Sequence, residues 1–203
     1  MVVFQHINMS KPAVGHILII GAGIAGLSLA QTLKQSQIDF TIYERDPAVD
    51  SRAQGYRIKI FPDTIAHLRQ ILSPELWKEF EHSCADTAMG ESTINALTAG
   101  LISSRKLKGI KPFTVDRSVL RKVLTRGIEN KIQFGKELKG YEINGNGVTT
   151  TFQDGSQASG SLLVGADGGW SIVRQLFIPH FRVVDPKGVC IFGKTPLTPE
   201  LER

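Results

Sequence analysis

Cysteine is scarce: Cys84 and Cys190 are the only two in 203 residues. Such a pair cannot form a disulfide scaffold, and a reducing, cytoplasmic compartment fits it. No Cys-x-x-Cys or His-Glu-x-x-His spacing occurs, and His82-x-Cys84 is the one close pair of metal-type ligands. Two ligands do not make a zinc site, so no metal is expected. A Gly-x-Ser-x-Gly elbow is also missing, which argues against a serine hydrolase. Aromatic residues are only 7% of the chain. A long apolar run is missing too. Ala13–Leu33 carries no formal charge and has the length of a membrane span. Yet Gly21, Gly23, Gly26, His16, Ser28, Gln31 and Thr32 dilute it, so no membrane span is expected. With no basic stretch ahead of it and no cleavage site behind, it does not read as a signal peptide either.

What remains is an ordinary globular composition, 41% hydrophobic and 21% charged, long enough to bury a core without staples. The net charge is +5, unevenly spread. Residues 101–140 hold 11 Lys and Arg against the three acids Asp116, Glu129 and Glu137. A basic segment suits a polyanion or a phosphate-bearing cofactor, and equally a solvated helix face. Phe113 and Phe134 are its only aromatics, so a base-stacking surface is disfavoured and no nucleic-acid partner is expected.

The strongest local signal is N-terminal. His16 to Ile20 reads as a strand buried on both faces, as in a parallel sheet. Gly21-Ala22-Gly23-Ile24-Ala25-Gly26 follows at once, and Ile24, Leu27, Ala30 and Leu33 then mark one helical stripe. Phe40 to Tyr43 reads as a second strand, ending at Glu44. This is the dinucleotide fingerprint in its required context. Gly21 allows the tight turn, Gly23 lets backbone approach a pyrophosphate, and Gly26 lets helix and strand pack closely. The phosphates face the positive end of the helix. Glu44 stands where a carboxylate accepts both hydroxyls of an adenosine ribose and repels a 2′-phosphate, which favours FAD or NAD over NADP.

Downstream, residues 45–55 are polar and turn-like, and Tyr56 to Ile60 alternates as a strand. Helices are expected from about Asp63 to Leu72 and from Ser73-Pro74-Glu75, where serine caps and proline occupies the first turn. Val119, Leu120, Val123, Leu124 and Ile128 mark an amphipathic helix that Asp116 can cap, with Arg117 in its first turn. The helix dipole disfavours a cation there, so Arg117 is either a partner for a cofactor phosphate or a surface arginine. A β-meander is expected next, from Lys131–Phe134, Lys139–Ile143 and Val148–Phe152, with Asn144-Gly145-Asn146-Gly147 as a hairpin turn and Asp154-Gly155 as another. Leu162 to Val164 is an apolar strand leading into Gly165-Ala166-Asp167-Gly168, and Ser171 can cap a short helix holding Arg174. Asp167 thus falls at the carboxyl end of a strand, where open α/β sheets bind ligands. Trp77 and Trp170 read as packing residues rather than substrate stackers.

In these motifs and their order the sequence resembles the FAD-dependent monooxygenases of the aromatic-hydroxylase type, typified by para-hydroxybenzoate hydroxylase. Gly21, Gly23 and Gly26 with Glu44 resemble the ADP-binding motif for FAD. Asp116-Arg117-x-x-Leu120 resembles the family's arginine-bearing helix. Gly165-Ala166-Asp167-Gly168 with Arg174 resembles its Asp-Gly motif, implicated in FAD and NAD(P)H binding. Gly55 falls in the loop that approaches FAD in these proteins. In overall character the chain is similar to fungal enzymes that tailor secondary metabolites. The resemblance implies an α/β fold: a Rossmann-like FAD-binding domain of the glutathione-reductase type with a β-meander, and the start of a mixed-sheet substrate domain. The boundaries expected are an N-terminal extension over 1–14, the FAD-binding domain over 15–180 and the beginning of the substrate domain over 181–203. It also implies FAD as cofactor, NAD(P)H as co-substrate, and insertion of one oxygen atom from O2 into an aromatic or polyketide-like small molecule. Flavin chemistry leaves the protein to supply position and electrostatics, so no catalytic acid or base is assigned.

One departure tempers this. The family carries a Gly-Asp pair in a C-terminal FAD motif, and no Gly-Asp dipeptide exists here. Thr198-Pro199-Glu200 announces a helix at the end of the sequence. The expectation is a truncated or split protein that alone holds FAD weakly and hydroxylates poorly or not at all, because its site is not shielded from water. A complementary chain or a homo-oligomer would then complete it. An NAD-dependent reductase, or a non-catalytic remnant or partner subunit, are the alternatives.

Overall fold

The computed structural model describes residues 15–51, 57–85, 90–106, 113–189 and 198–200. The expected extension over 1–14, Gly55 and Cys190 lie outside them. The elements in chain order are β1 (Ile17–Ile20), α1 (Ile24–Gln35), β2 (Phe40–Glu44), β3 (Arg57–Ile60), α2 (Pro62–Ile71) and α3 (Pro74–Ser83). They continue with β4 (Cys84–Ala85), β5 (Gly90–Ile94), β6 (Leu101–Lys106), β7 (Phe113–Asp116) and α4 (Arg117–Thr125). A 3-10 turn (Glu129–Lys131) leads to β8 (Ile132–Phe134), β9 (Leu138–Asn144), β10 (Gly147–Phe152), β11 (Gln157–Gly160), β12 (Leu162–Gly165) and α5 (Ile172–Phe177).

Four strands form a parallel sheet in the order β12-β1-β2-β8. β1 is its centre, with Ile17 opposite both Leu162 and Phe40. All four β1 residues are buried, and they divide between two cores. Ile17 and Ile19 pack with Leu27, Ala30, Leu120 and Leu124 on the helical side. Leu18 and Ile20 pack with Tyr43, Leu138, Val148 and Phe152 on the other. A strand with period-two side chains and no polar residue needs a cover on each face. Helices cover one, and the antiparallel sheet β11-β10-β9 covers the other.

This arrangement corrects one expectation. Lys131–Phe134 is not part of the meander: it pairs in parallel with β2, Ile42 opposite Ile132, as the edge of the main sheet. The meander is β9, β10 and β11, turning at Gly145 (φ 57°) and Gly155 (φ 82°). A second antiparallel sheet, β3-β7-β4, carries the chain toward α4, and β5 pairs with β6 as a hairpin.

The helix caps follow the sequence. Ser73 Oγ accepts from the Leu76 N–H, Asp116 from the N–H groups of Ser118 and Val119, and Ser171 Oγ from the Arg174 N–H. Val119, however, is exposed, one turn ahead of the buried Val123, and Arg121 takes a buried place on α4 instead. Gln31, buried on α1, donates to the carbonyls of Leu124 (2.7 Å) and Arg126 (3.0 Å) and so ties the end of α4 to α1. Trp77 packs as expected, with Phe80 and Phe113, whereas Trp170 is 70% exposed and does not pack in the core. Among the described residues no helix is long and apolar enough to cross a membrane.

At the far end of β1, Asp39 accepts from Lys131 Nζ (2.8 Å) and pairs with His16 Nδ1 (2.7 Å). The Lys131 hydrogen bond first, and His16 second, lower its carboxyl from the ordinary 3.8 to about 2. A depressed carboxylate stabilises the fold above its unfolded value, and that contribution is lost as pH falls through the folded one. Because the group is solvent-exposed, the Asp39→Asn variant is expected to lose less than ~1 kcal/mol at pH 7. Urea titrations should show the gap to wild type closing between pH 4 and pH 2. A gap that persists at low pH would show that the carboxylate is not its source.

Candidate functional site

Above the carboxyl end of the parallel sheet lies a cleft of about 240 Å³. Its lining includes Gly21, Gly23, Glu44, Arg117, Arg121, Asp167, Gly168 and Trp170. Residues distant in sequence meet here because β1, β2 and β12 all end at the same sheet edge. Gly26 lies behind the turn rather than in the lining. Of the cofactor-binding residues expected from the sequence, only Gly55 falls outside the described residues.

The turn is built by its glycines. Gly21 has φ +105°, and a Cβ there would stand 2.5 Å from the Ala166 carbonyl oxygen. A Cβ on Gly26 would collide with the Gly21 carbonyl oxygen. Gly23 differs: its nearest obstacle, Ala166 O, would be 4.0 Å away. Among the described residues nothing requires Gly23 to lack a side chain, which points to a ligand as the reason. Gly23 is also the N-cap of α1, so no side-chain acceptor caps the helix, and its first turn has no acid. A helix start so equipped suits a phosphate.

Glu44 is almost fully buried at the end of β2. Its Oε2 accepts from the Ala22 N–H (2.8 Å) and from Arg121 Nη2 (3.3 Å), and its Oε1 from the Asp46 N–H (3.0 Å). Asp167 Oδ2 accepts from the N–H groups of Ile172 (2.7 Å) and Val173 (3.3 Å). Its Oδ1 is buried without a hydrogen-bond partner among the described residues. An orphaned buried oxygen is uncommon and calls for a donor from outside the protein. Gly168, at φ +81°, and Gly169 have no heavy atom within reach of an added Cβ, so this loop is open to close approach. Arg174 lies aside: it donates to Gly169 O (2.7 Å) and sits 5.0 Å over the Phe181 ring, lining a neighbouring pocket.

The sequence reading did not single out Arg121 and Lys136 for the cleft, and it expected Trp170, which also lines it, to pack. Arg121 stands four residues after Arg117, the spacing that puts both on one helix face, and it interrupts a stripe of buried apolar residues. Lys136 lines the cleft while donating to Asp154 (2.6 Å) and Ser156 (2.8 Å). Trp170 leaves no such trace in the sequence. Three further cations of the basic segment form ion pairs away from the cleft: Lys122 with Asp50, Arg126 with Glu79, and Lys131 with Asp39. Cys84 donates to Phe80 O, and burial pushes its thiol up to about 11, far from a reactive thiolate. No cluster of metal-type ligands forms among the described residues.

The parallel sheet with its glycine turn, and the Asp-Gly loop beside it, define a dinucleotide-binding α/β protein. More closely, residues 15–185 match the FAD binding domain family, and the chain belongs to it. Among its relatives is a dual O-methyltransferase/FAD-dependent monooxygenase, elcB, of Phaeosphaeria nodorum, 43% identical over 91% of this chain and 21% of that protein. Another is the FAD-dependent monooxygenase cctM of Talaromyces islandicus, 30% identical over 93% of this chain and 48% of that one. The solved structure of Klebsiella pneumoniae HpxO complexed with FAD and uric acid superposes with a TM-score of 0.64 at 29% identity, over 79% of this chain and 41% of that one. The chain thus spans less than half the length of each of these relatives. The resemblance to fungal FAD-dependent monooxygenases and the α/β FAD-binding fold both stand.

Proposed function

We propose that this chain is the FAD-binding part of a flavin-dependent monooxygenase acting on an aromatic or polyketide-like small molecule in secondary metabolism. The observation that carries the proposal is the convergence, in one cleft, of an uncapped helix start, a glycine with no internal reason to be one, and an orphaned carboxylate oxygen on Asp167. Bound FAD supplies hydride acceptance from NAD(P)H and activation of O2. The residues of the chain supply binding. The first turn of α1 and Gly23 take the pyrophosphate, and Arg117 adds positive charge beside it. An ionised carboxylate has about four acceptor positions, and three protein N–H groups already occupy Glu44. In this arrangement Glu44 therefore accepts one ribose hydroxyl, not two. Asp167 Oδ1 and the Gly168 backbone face the remaining length of the cofactor. The fungal relatives named as FAD-dependent monooxygenases support the reaction class.

A cleft of this size is smaller than the ~300–1,000 Å³ of pockets that enclose a ligand. The described residues therefore wall only part of a dinucleotide. On this reading 15–180 is the cofactor domain and 181–203 opens a substrate domain. A complementary chain or second copy completes the enclosure, and the protein works in the cytoplasm. The test is the visible absorbance spectrum of the purified chain before and after adding FAD and desalting. Flavin bands that shift on binding in excess FAD, and are retained in part after desalting, are expected. A folded chain that shows no saturable binding in an equilibrium titration with FAD would overturn the cofactor assignment.

A further inference from the structure

Among the described residues Arg121 is the buried cation. Its side chain is about nine-tenths buried, and its guanidinium serves three segments at once. Nε donates to Ala22 O (2.8 Å) in the glycine turn, Nη1 to Val49 O (3.0 Å) in the loop after β2, and Nη2 to Glu44 Oε2 (3.3 Å). Asp46 lies 3.9 Å from Nη1. These donors point to protein, so Arg121 is placed to act on a ligand through what it holds. Only a planar fork can reach two carbonyls and a carboxylate in different directions from one side chain, and an ammonium cannot.

We propose that Arg121 is the positioning residue for the adenosine end of the cleft. It fixes the Glu44 carboxylate against the turn, so that one ribose hydroxyl is recognised by an acceptor that cannot swing away. The inference rests on the FAD reading above and adds the residue that sets its ribose specificity. The Oε2 of the carboxylate accepts from both the Ala22 N–H and the guanidinium, while the guanidinium itself is anchored on the carbonyl of the same Ala22. Turn, carboxylate and arginine thus form a closed ring of contacts, and removing the fork opens it at two points.

The test uses the full chain with ADP, 2′-deoxy-ADP and 3′-deoxy-ADP as probes, read by calorimetry, with thermal melts alongside. Wild type is expected to prefer ADP over one of the two deoxy compounds by roughly ten- to a hundredfold, the worth of a hydrogen bond to a charged group. Arg121→Lys keeps the positive charge beside Glu44 and Asp46 but loses the fork. It should cut that preference to below about threefold while still binding ADP, and Glu44→Gln should do the same. The double variant Arg121→Gln with Glu44→Gln removes both opposite charges, and its preference should be no lower than that of Glu44→Gln alone. A merely structural role gives a different result: all three probes weaken in equal proportion and the preference survives in Arg121→Lys. That outcome overturns the proposal. Wild type that retains flavin but shows no ribose preference also overturns it and leaves the FAD reading standing. Wild type that binds neither ADP nor FAD overturns both.

Discussion

Replacing Gly26 by alanine is expected to cost about 3 kcal/mol and to abolish flavin retention, the upper range for forcing one methyl into a filled site. The added Cβ would collide with the Gly21 carbonyl oxygen and lie 3.3 Å from Ala166 Cβ. Neither neighbour is the end of a flexible side chain. Relief therefore requires α1 to lift from the turn that it shares with β1, and the phosphate-facing helix start moves with it. For a chain of this length, 3 kcal/mol corresponds to a fall in Tm of roughly 6–12 °C. Gly23→Ala is the matched control. Its Cβ meets nothing closer than 4.0 Å, so its melting temperature should stay within ~2 °C of wild type while flavin is lost. Desalting after incubation with FAD, and melts without it, read both quantities. Flavin retained by Gly23→Ala would show that no ligand backs onto that glycine.

The second large effect lies away from the cleft. Phe80 is fully buried, with its ring centroid 5.3 Å from that of Trp77 and 5.6 Å from that of Phe113. Phe80→Ala removes the most deeply buried ring of this aromatic group and is expected to cost about 3–5 kcal/mol, the range for emptying a core site. The corresponding fall in Tm is roughly 6–20 °C. Phe80→Leu retains most of the volume and should cost less than ~1.5 kcal/mol. None of the three aromatic residues lines the cleft. At a temperature where Phe80→Ala is still folded, its flavin retention should therefore match wild type. Lost retention in a folded Phe80→Ala chain would show that the aromatic group supports α4 as a functional element and not only as a stable one.

What was legible in the sequence was local. The β1-turn-α1 unit could be read because each residue has a backbone or packing reason visible along the chain: a continuous apolar strand, glycines at fixed spacing, and a helical stripe. The caps at Ser73, Asp116 and Ser171 could be read for the same reason, since a cap and its N–H lie two or three residues apart. Errors entered where the partner is remote. Lys131–Phe134 has the look of any short strand, and its parallel pairing with β2 depends on α4 returning the chain to the sheet edge. Arg121 looked like one more member of a basic segment, because Ala22 and Glu44, its partners, lie 99 and 77 residues away. Asp167 could be placed at a strand end, but its unpaired oxygen is a property of the folded loop alone.

The central position of β1 has a consequence in time. One of its two neighbours, β2, arrives early, whereas the other, β12, begins with Leu162 against Ile17. At ~5–20 residues per second, a ribosome takes roughly 7–30 s to make the 145 residues between them. Throughout that interval one edge of the most apolar strand has no mate, and its meander-facing side, Leu18 and Ile20, has no cover. Nascent chains of this kind lean on chaperones, and their yield falls when translation outpaces rescue or temperature strengthens apolar association. The same topology that gathers four distant segments around one cleft makes the last strand of the parallel sheet to be synthesised the one that licenses the first.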